Sequence, residues 1–207
     1  GVGGSPATGS QATSEASFSG TKTIGPSGDY ATLTAALADI NTLGMAASAV
    51  LELQSTYVST GETFPLNFTS FAGLGASRTL TVRPATGATA LSISGTNATA
   101  IVQINNGDYV TIDGRPGGSG SNRELTISNA GTGPAILLIN DATYNTVKYC
   151  NVVGSGNITA TSGVILMSTS TATTGNDNNT IDYCDVNALG SACAITSVGT
   201  KGKENND

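Results

Sequence analysis

The sequence of 207 residues contains no histidine and no tryptophan, and only eight lysine and arginine residues. Without histidine, the chain cannot use an imidazole as a general acid or base. The few cations are scattered and form no basic track along a nucleic-acid backbone, so we expect no nucleic-acid partner. No apolar run approaches the roughly 18 residues of a membrane-spanning helix, and no secretory signal peptide is recognisable.

Charged residues make up 11% of the chain and aromatic residues 5%, whereas glycine alone contributes 27 residues. Threonine, serine, asparagine and alanine fill much of the remainder. Threonine and the β-branched aliphatic residues favour strands, and glycine, asparagine and aspartate favour turns. The composition therefore indicates one domain of many short strands joined by many turns, with a net charge of −6.

The chain contains an internal repeat. The segment YNTVKYCNV at 144–152 returns as NNTIDYCDV at 178–186, with Asn, Thr, an aliphatic residue, Tyr, Cys and Val in the same places. A weaker copy, DYVTIDG, occupies 108–114, with Asp113 in the charged place and Gly114 in the tyrosine place. Recurrence of this kind indicates a repeat architecture in which equivalent residues of successive units stack on one another.

A second, apolar motif recurs between the copies. It reads AIVQIN from Ala100, AILLIN from Ala135, GVILMS from Gly163 and ACAITS from Ala192, with starts 35, 28 and 29 residues apart. One unit is therefore a short apolar strand, a loop of variable length and a Thr-Ile strand. The last unit stops within such a loop, so we expect the chain to be part of a longer solenoid.

One helix and several further strands are predicted ahead of the repeats. The segment 28–44 has apolar residues at helical spacing, with Asp29 to cap its start and Gly44 to end it. Residues 1–20 are mostly small and polar, and are predicted to be a linker or the tail of a preceding module. Strands are predicted at 49–58, 64–69, 79–84, 90–95 and 124–130.

Strands without intervening helices, in a repeat of about 30 residues, predict an all-β fold of the parallel β-helix type. A β-sandwich is the other all-β candidate, but it gives no reason for aligned copies. Residues 21–99 would then hold a capping helix and the first coils, and 100–207 the repeats. The amphipathic helix ahead of the first coil would cover the open end of the solenoid.

Stacked coils predict columns of equivalent residues. Asn145 would lie on Asn179 and bond side-chain amide to side-chain amide. A bend at the tyrosine place would let the chain continue with its next apolar residues facing inward. Three aligned pairs would then fill the interior, namely Val147 with Ile181, Cys150 with Cys184, and Val152 with Val186.

The sequence contains three cysteines, Cys150, Cys184 and Cys193. Stacked coils would place Cys150 and Cys184 about 4.8 Å apart. That is within the Cα range of a disulfide, although parallel Cβ vectors suit the bond poorly. Two small buried thiols are the first interpretation and a disulfide is the alternative. No metal site is predicted, because no CxxC or Cys/His spacing is present.

The order of these motifs resembles a known family. DYATLTAALADIN, AVLELQSTYV, ETFPLNF, LTVRP, DYVTIDG, AILLIND and NNTI follow one another within about residues 18–207. This order is similar to right-handed parallel β-helix modules of the pectin-lyase-like superfamily. More narrowly, it is similar to repeats in large secreted, adhesin-like surface proteins of Bacteroidetes. The resemblance implies a right-handed solenoid, an extracellular or cell-surface location, and export by the type IX route through a C-terminal sorting domain.

The aligned charged place holds the best candidates for catalytic residues. Asp113, Lys148 and Asp182 would stack on one outer face, with Arg115 nearby in sequence. The superfamily includes polysaccharide lyases, and a calcium-assisted lyase needs clustered carboxylates with a Lys or Arg base. The first interpretation is instead a salt-bridge ladder on a solvated face. The two aspartates would lie about 10 Å apart, which is wide for joint action on one bond.

Four tyrosines are candidates for ligand contact. Tyr109, Tyr144, Tyr149 and Tyr183 could line a sugar-binding face, because aromatic rings stack on sugars. Tyr149 and Tyr183 hold the same place in the two copies. The first interpretation is therefore that the rings pack on one another at turns, from coil to coil.

The sequence thus predicts a non-catalytic structural or adhesive β-helix module of a large secreted bacterial surface protein. The alternative is a calcium-dependent, lyase-like enzyme on the same fold that acts on polysaccharides. A polysaccharide or another cell-surface molecule is the expected ligand, and the rest of a longer parent chain is an expected partner. End-to-end self-association is a third hypothesis, because a solenoid that stops mid-repeat exposes a strand edge.

Overall fold

The computed structural model describes residues 17–155, 163–168, 175–189 and 195–197. Within these ranges it contains one α-helix, α1, at Leu33–Leu43, and single 3₁₀ turns at Ser59–Gly61 and Pro116–Gly118. Its strands are β1 Phe18–Ile24, β2 Met45–Leu53, β3 Leu66–Phe68, β4 Leu80–Pro84, β5 Leu91–Gly95, β6 Val102–Asn105, β7 Val110–Asp113, β8 Leu125–Asn129, β9 Ile136–Ile139, β10 Thr146–Lys148, β11 Cys150–Gly154, β12 Ile165–Met167, β13 Thr180–Asp182, β14 Asp185–Ala188 and β15 Ile195–Ser197.

The strands form three sheets, and the named strands pair only in parallel. Sheet 1 has the order β1-β2-β4-β7-β10-β13, sheet 2 the order β5-β8-β11-β14, and sheet 3 the order β3-β6-β9-β12-β15. From β4 onward, successive strands visit sheets 1, 2 and 3 in a fixed rotation. The predicted parallel, mostly β architecture with one helix is confirmed for the described residues, and it is compatible with a parallel β-helix.

The register of sheet 1 matches the alignment of the repeats. Thr111, Thr146 and Thr180 are opposite one another on β7, β10 and β13. The residues that follow these threonines, Ile112, Val147 and Ile181, are also opposite one another in the register. Equivalent side chains therefore stack from strand to strand, and Ile112 and Val147 are buried in the main apolar core.

Helix α1 begins four residues later than the predicted cap. Thr32 is the N-cap, and its side chain accepts a hydrogen bond from the Ala35 backbone N. The prediction that Asp29 caps the helix is wrong, because Asp29 instead accepts from the backbone N and Oγ1 of Thr23, at 2.7 and 2.9 Å. A bridge between Ile24 and Tyr30 closes the turn that contains Asp29. Gly44 does end the helix, with a φ of 68° that glycine adopts without strain.

The start of α1 is held by a carboxylate that is distant in sequence. Glu62 accepts hydrogen bonds from the backbone N of Leu33 at 2.7 Å and of Thr34 at 2.8 Å. The hydroxyl of Tyr57 donates to the same carboxylate at 2.9 Å. These are donors that the first turn of a helix leaves without intrahelical partners, and a negative charge there is favourable. The helix is therefore joined to the chain segment that follows β2.

The sequence does not predict strand β1, part of which lies in the segment 1–20 that is predicted to be a linker or the tail of a preceding module. Its sequence FSGTKTI is mostly polar, and only its first and last residues, Phe18 and Ile24, are fully buried. The segment therefore lacks the alternation of apolar and polar residues that would indicate a strand. The strand predicted at 49–58 also lies earlier in the structure, at Met45–Leu53.

Candidate functional site

The three charged candidates are neighbours at the ends of adjacent strands of sheet 1. Asp113, Lys148 and Asp182 are the last residues of β7, β10 and β13, and they are opposite one another in the strand register. We call this set the charged column. Parallel strands are spaced about 4.8 Å apart, so the two aspartates lie two strand spacings from each other, on either side of the lysine.

Asp113 does not lie on a solvated face, in contrast to the sequence interpretation, because only 3% of its surface is exposed. Its carboxylate accepts from Arg115 Nε at 2.9 Å and from Arg115 Nη2 at 2.8 Å. The Arg115 backbone N also donates to Oδ1 at 3.1 Å. Lys148 Nζ lies 3.5 Å from Oδ2. Both carboxylate oxygens are thus engaged by cations of this chain.

The other aspartate of the charged column stands apart. Asp182 is exposed, and the described residues give its carboxylate no ion pair with Lys148. The described ranges also hold no cluster of three or more His, Cys, Asp or Glu residues that could bind a metal ion. Calcium requires six to eight oxygen ligands, and the oxygens of Asp113 are already used by Arg115 and Lys148. The charged column therefore does not fit a calcium-assisted site.

Burial of Asp113 acts to raise the pKa of its carboxyl group. The hydrogen bonds from Arg115 and the charge of Lys148 outweigh this effect, and they hold the pKa below its ordinary value. The carboxylate therefore stays ionised and cannot serve as a general acid near neutral pH.

This lowered pKa gives the stability of the chain a dependence on acid. Asp113 contributes stability that is fully present above its ordinary pKa of 3.8 and is lost as the pH falls through the folded value. We expect the difference in free energy of unfolding between wild type and Asp113→Asn to be largest near neutral pH and to shrink below pH 3.8. Urea unfolding followed by circular dichroism over this range measures it. A difference that does not change with pH would contradict the assignment.

The four candidate tyrosines form two stacked pairs at the two ends of this part of sheet 1. The rings of Tyr109 and Tyr144 lie 5.0 Å apart with an interplanar angle of 1°. The rings of Tyr149 and Tyr183 lie 4.8 Å apart at 10°. All four residues have φ between 50° and 57°, in the left-handed region that non-glycine residues seldom adopt. The tyrosines therefore mark the corners where the chain enters and leaves the sheet.

Stacking restricts the ring surface that a ligand could contact. Each ring covers one face of its partner, and the Arg115 guanidinium covers Tyr149 from 4.5 Å. Tyr144 is 51% exposed and Tyr183 is 61% exposed. Any stacking of sugars on these pairs would therefore use the outer faces of these two rings.

Asn145 and Asn179 form a buried amide column beside the first tyrosine pair. Asn145 Nδ2 donates to Asn179 Oδ1 at 3.1 Å, and also to the Gly107 carbonyl at 2.8 Å. Asn145 Oδ1 accepts from the Val110 backbone N at 3.0 Å. The Asn145 side chain therefore satisfies backbone groups of the corner before β7 and also bonds the amide of the next corner.

Another buried asparagine, Asn129, was missed by the sequence reasoning. Asn129 Nδ2 lies 2.9 Å from the carbonyls of Asn97, Gly133 and Pro134. Its Oδ1 accepts from the backbone N of Asn97 at 3.0 Å and of Gly131 at 2.8 Å. The aligned segments ISGTNATA at 93–100 and ISNAGTGPA at 127–135 were a signal for this corner.

The two members of each predicted interior pair differ in burial. The first members, Val147, Cys150 and Val152, are buried. Their partners on the next strands, Ile181, Cys184 and Val186, are half-buried. Cys150 and Cys184 are both free thiols. Cys193 lies outside the described residues.

Two surface grooves of the described residues lie away from the candidate residues. A groove of about 450 Å³ is lined mainly by serine and threonine, with Tyr57 at its edge. Another, of about 280 Å³, lies between α1 and the segment around Pro65. Neither includes a residue of the charged column or of the tyrosine pairs.

No helix in the described part of the chain is long and apolar enough to cross a membrane. Comparisons of the chain with protein-family models, with curated proteins and with solved structures gave no match.

Proposed function

We propose that this chain is a non-catalytic structural module, a right-handed parallel β-helix that forms part of a large secreted bacterial surface protein. The rotation of successive strands through three parallel sheets supports the solenoid. The stacked asparagine and tyrosine pairs support it further, because such columns need equivalent residues in successive turns.

The observation that carries the non-catalytic assignment is the state of Asp113. An enzyme of the lyase type would need this carboxylate for a metal or a substrate. Here it is buried, and it is neutralised by Arg115 and Lys148 at 2.8 and 3.5 Å. The group joins the end of β7 to the end of β10 through these ion pairs.

The adhesive part of the proposal concerns polysaccharides or other cell-surface molecules. A chain with 11% charged residues and abundant Thr, Ser and Asn presents mostly neutral hydrogen-bonding groups, which suit sugar hydroxyls. The outer faces of Tyr144 and Tyr183 are the ring surfaces open to such a ligand. The location in a secreted Bacteroidetes protein, and export by the type IX route, rest on the resemblance of the motif order.

The catalytic alternative is tested by incubating the protein with uronic-acid polysaccharides and calcium, and by following the ultraviolet absorbance of unsaturated products. We expect no product above the rate without protein. The Lys148→Ala variant is the control, because it removes the lysine of the charged column, which the alternative uses as a base. Product formation by wild type that disappears in Lys148→Ala would overturn the proposal.

A further inference from the structure

Two free thiols hold equivalent positions in adjacent turns. Cys150 is the first residue of β11, and Cys184 directly precedes β14. These strands pair in parallel with Asn151 opposite Asp185, so the cysteines occupy the equivalent places one residue earlier. Neighbouring parallel strands are about 4.8 Å apart, which is within the Cα separation that a disulfide requires.

The surroundings of the two thiols differ. Cys150 is completely buried, and its Sγ lies 3.3 Å from the Lys148 carbonyl oxygen. Cys184 is half-buried. Its Sγ lies 3.4 Å from the Asp182 carbonyl oxygen and 3.5 Å from that of Val147, on the strand next to Cys150. A reagent from solvent would therefore reach Cys184 before Cys150.

The side chain of Arg123 contacts both residues that flank Cys184 in sequence. Arg123 Nε donates to the Tyr183 carbonyl at 2.6 Å, and Arg123 Nη1 lies 3.5 Å from Asp185 Oδ2. Interaction with the Cys184 thiol, together with burial, raises the pKa of the Cys150 thiol. Interaction with the Cys150 thiol, with a contribution from the charge of Arg123, lowers the pKa of the Cys184 thiol. A half-buried thiol near a cation is the usual environment of a reactive cysteine.

We infer that Cys184 is a reactive thiol and Cys150 its resolving partner, so that a small disulfide oxidises the pair to a reversible disulfide between adjacent turns. This inference rests on the two cysteines and Arg123, and is independent of the proposed function. It assigns a chemical role to a pair that would otherwise only fill the interior.

The reaction proceeds in two exchange steps. The Cys184 thiolate attacks one sulfur of oxidised glutathione, a Cys184–glutathione bond forms, and the first glutathione leaves as a thiolate. Cys150 then gives up its proton, and its sulfur attacks the Cys184 sulfur. The Cys150–Cys184 bond forms and the second glutathione leaves as a thiolate. Two protein thiols are oxidised, and one glutathione disulfide is reduced to two thiols.

Stacked cysteine side chains point the same way, so closing the bond requires both to rotate toward each other. The strand that follows Cys184 permits this, because Val186 and Ala188 are half-buried and not fully enclosed. A bond formed under such distortion is readily reduced. We therefore expect the link to be a reversible one.

The test uses the full chain with Cys193→Ser, so that only Cys150 and Cys184 can report. The folded protein is treated with oxidised glutathione and its mass is measured. We expect the loss of two hydrogens, a linked Cys150–Cys184 peptide pair after digestion, and return to the dithiol with dithiothreitol. Adding Cys150→Ser should trap one glutathione on Cys184. Adding Cys184→Ser should leave the folded protein unmodified.

Circular dichroism confirms that each variant is folded, and Cys150→Ala replaces Cys150→Ser if serine prevents folding. Two results would overturn the inference. One is wild type with two separate glutathione adducts and no linked peptide. The other is a protein whose two thiols react only after denaturation, because both would then be inert interior residues.

Discussion

Gly114→Ala is expected to lower the free energy of unfolding by about 3 kcal/mol or more. A Cβ at this position would lie 1.8 Å from the carbonyl oxygen of Tyr149, and 2.7 Å from its carbonyl carbon. Both atoms belong to the backbone of the neighbouring strand segment, so no side-chain rotation can relieve the overlap. The Gly114 backbone N donates to the Lys148 carbonyl at 2.9 Å, and forcing the segments apart would break this contact as well.

Urea unfolding of wild type and Gly114→Ala measures the effect. Gly75→Ala is the matched control, because a Cβ there has no heavy atom within 4 Å. We expect that control to change the stability by less than about 1 kcal/mol. Equal stability of Gly114→Ala and wild type would show that Gly114 does not lie as close to the Tyr149 carbonyl as described.

Asn145→Ala is expected to lower the free energy of unfolding by about 2–6 kcal/mol, at 1–3 kcal/mol for each of two buried polar groups left without their partner. The groups concerned are the backbone N of Val110 and the carbonyl of Gly107. Asn179 Oδ1 keeps a partner, because the Asn145 backbone N still donates to it. Asn145 is 1% exposed, so water cannot replace the lost bonds without opening the corner.

The control for this variant is Asn151→Ala, in the neighbouring strand β11. Asn151 is half-buried, and its side chain makes one longer bond, from Nδ2 to the Arg123 carbonyl at 3.3 Å. We expect a loss of about 1 kcal/mol or less. Similar losses of unfolding free energy for the two variants would mean that the buried amide column stabilises the fold no more than a half-buried asparagine does.

The stacking of β10 on β13 could be predicted from the sequence, because the same residues recur in the same order. A column of equivalent side chains requires such recurrence, and the alignment of Thr146 with Thr180 gave the register directly. Helix α1 could also be predicted, because Leu33, Leu37 and Ile40 repeat at helical spacing and are buried.

The partners of the charged groups could not be predicted in this way. Arg115 follows Asp113 by two residues, and nothing in its Gly-rich neighbourhood indicates that its guanidinium folds back onto that carboxylate. Glu62 caps a helix that starts 29 residues earlier. Such contacts depend on how loops of unequal length close, and no local pattern records them.

The corners have a consequence for how such a chain can grow. Register-paired threonines at 81, 111, 146 and 180 are separated by 30, 35 and 34 residues. The columns stay aligned because the differences in length are absorbed between strands. A gene segment that encodes one unit of three strands can therefore be duplicated or lost without a strict length requirement.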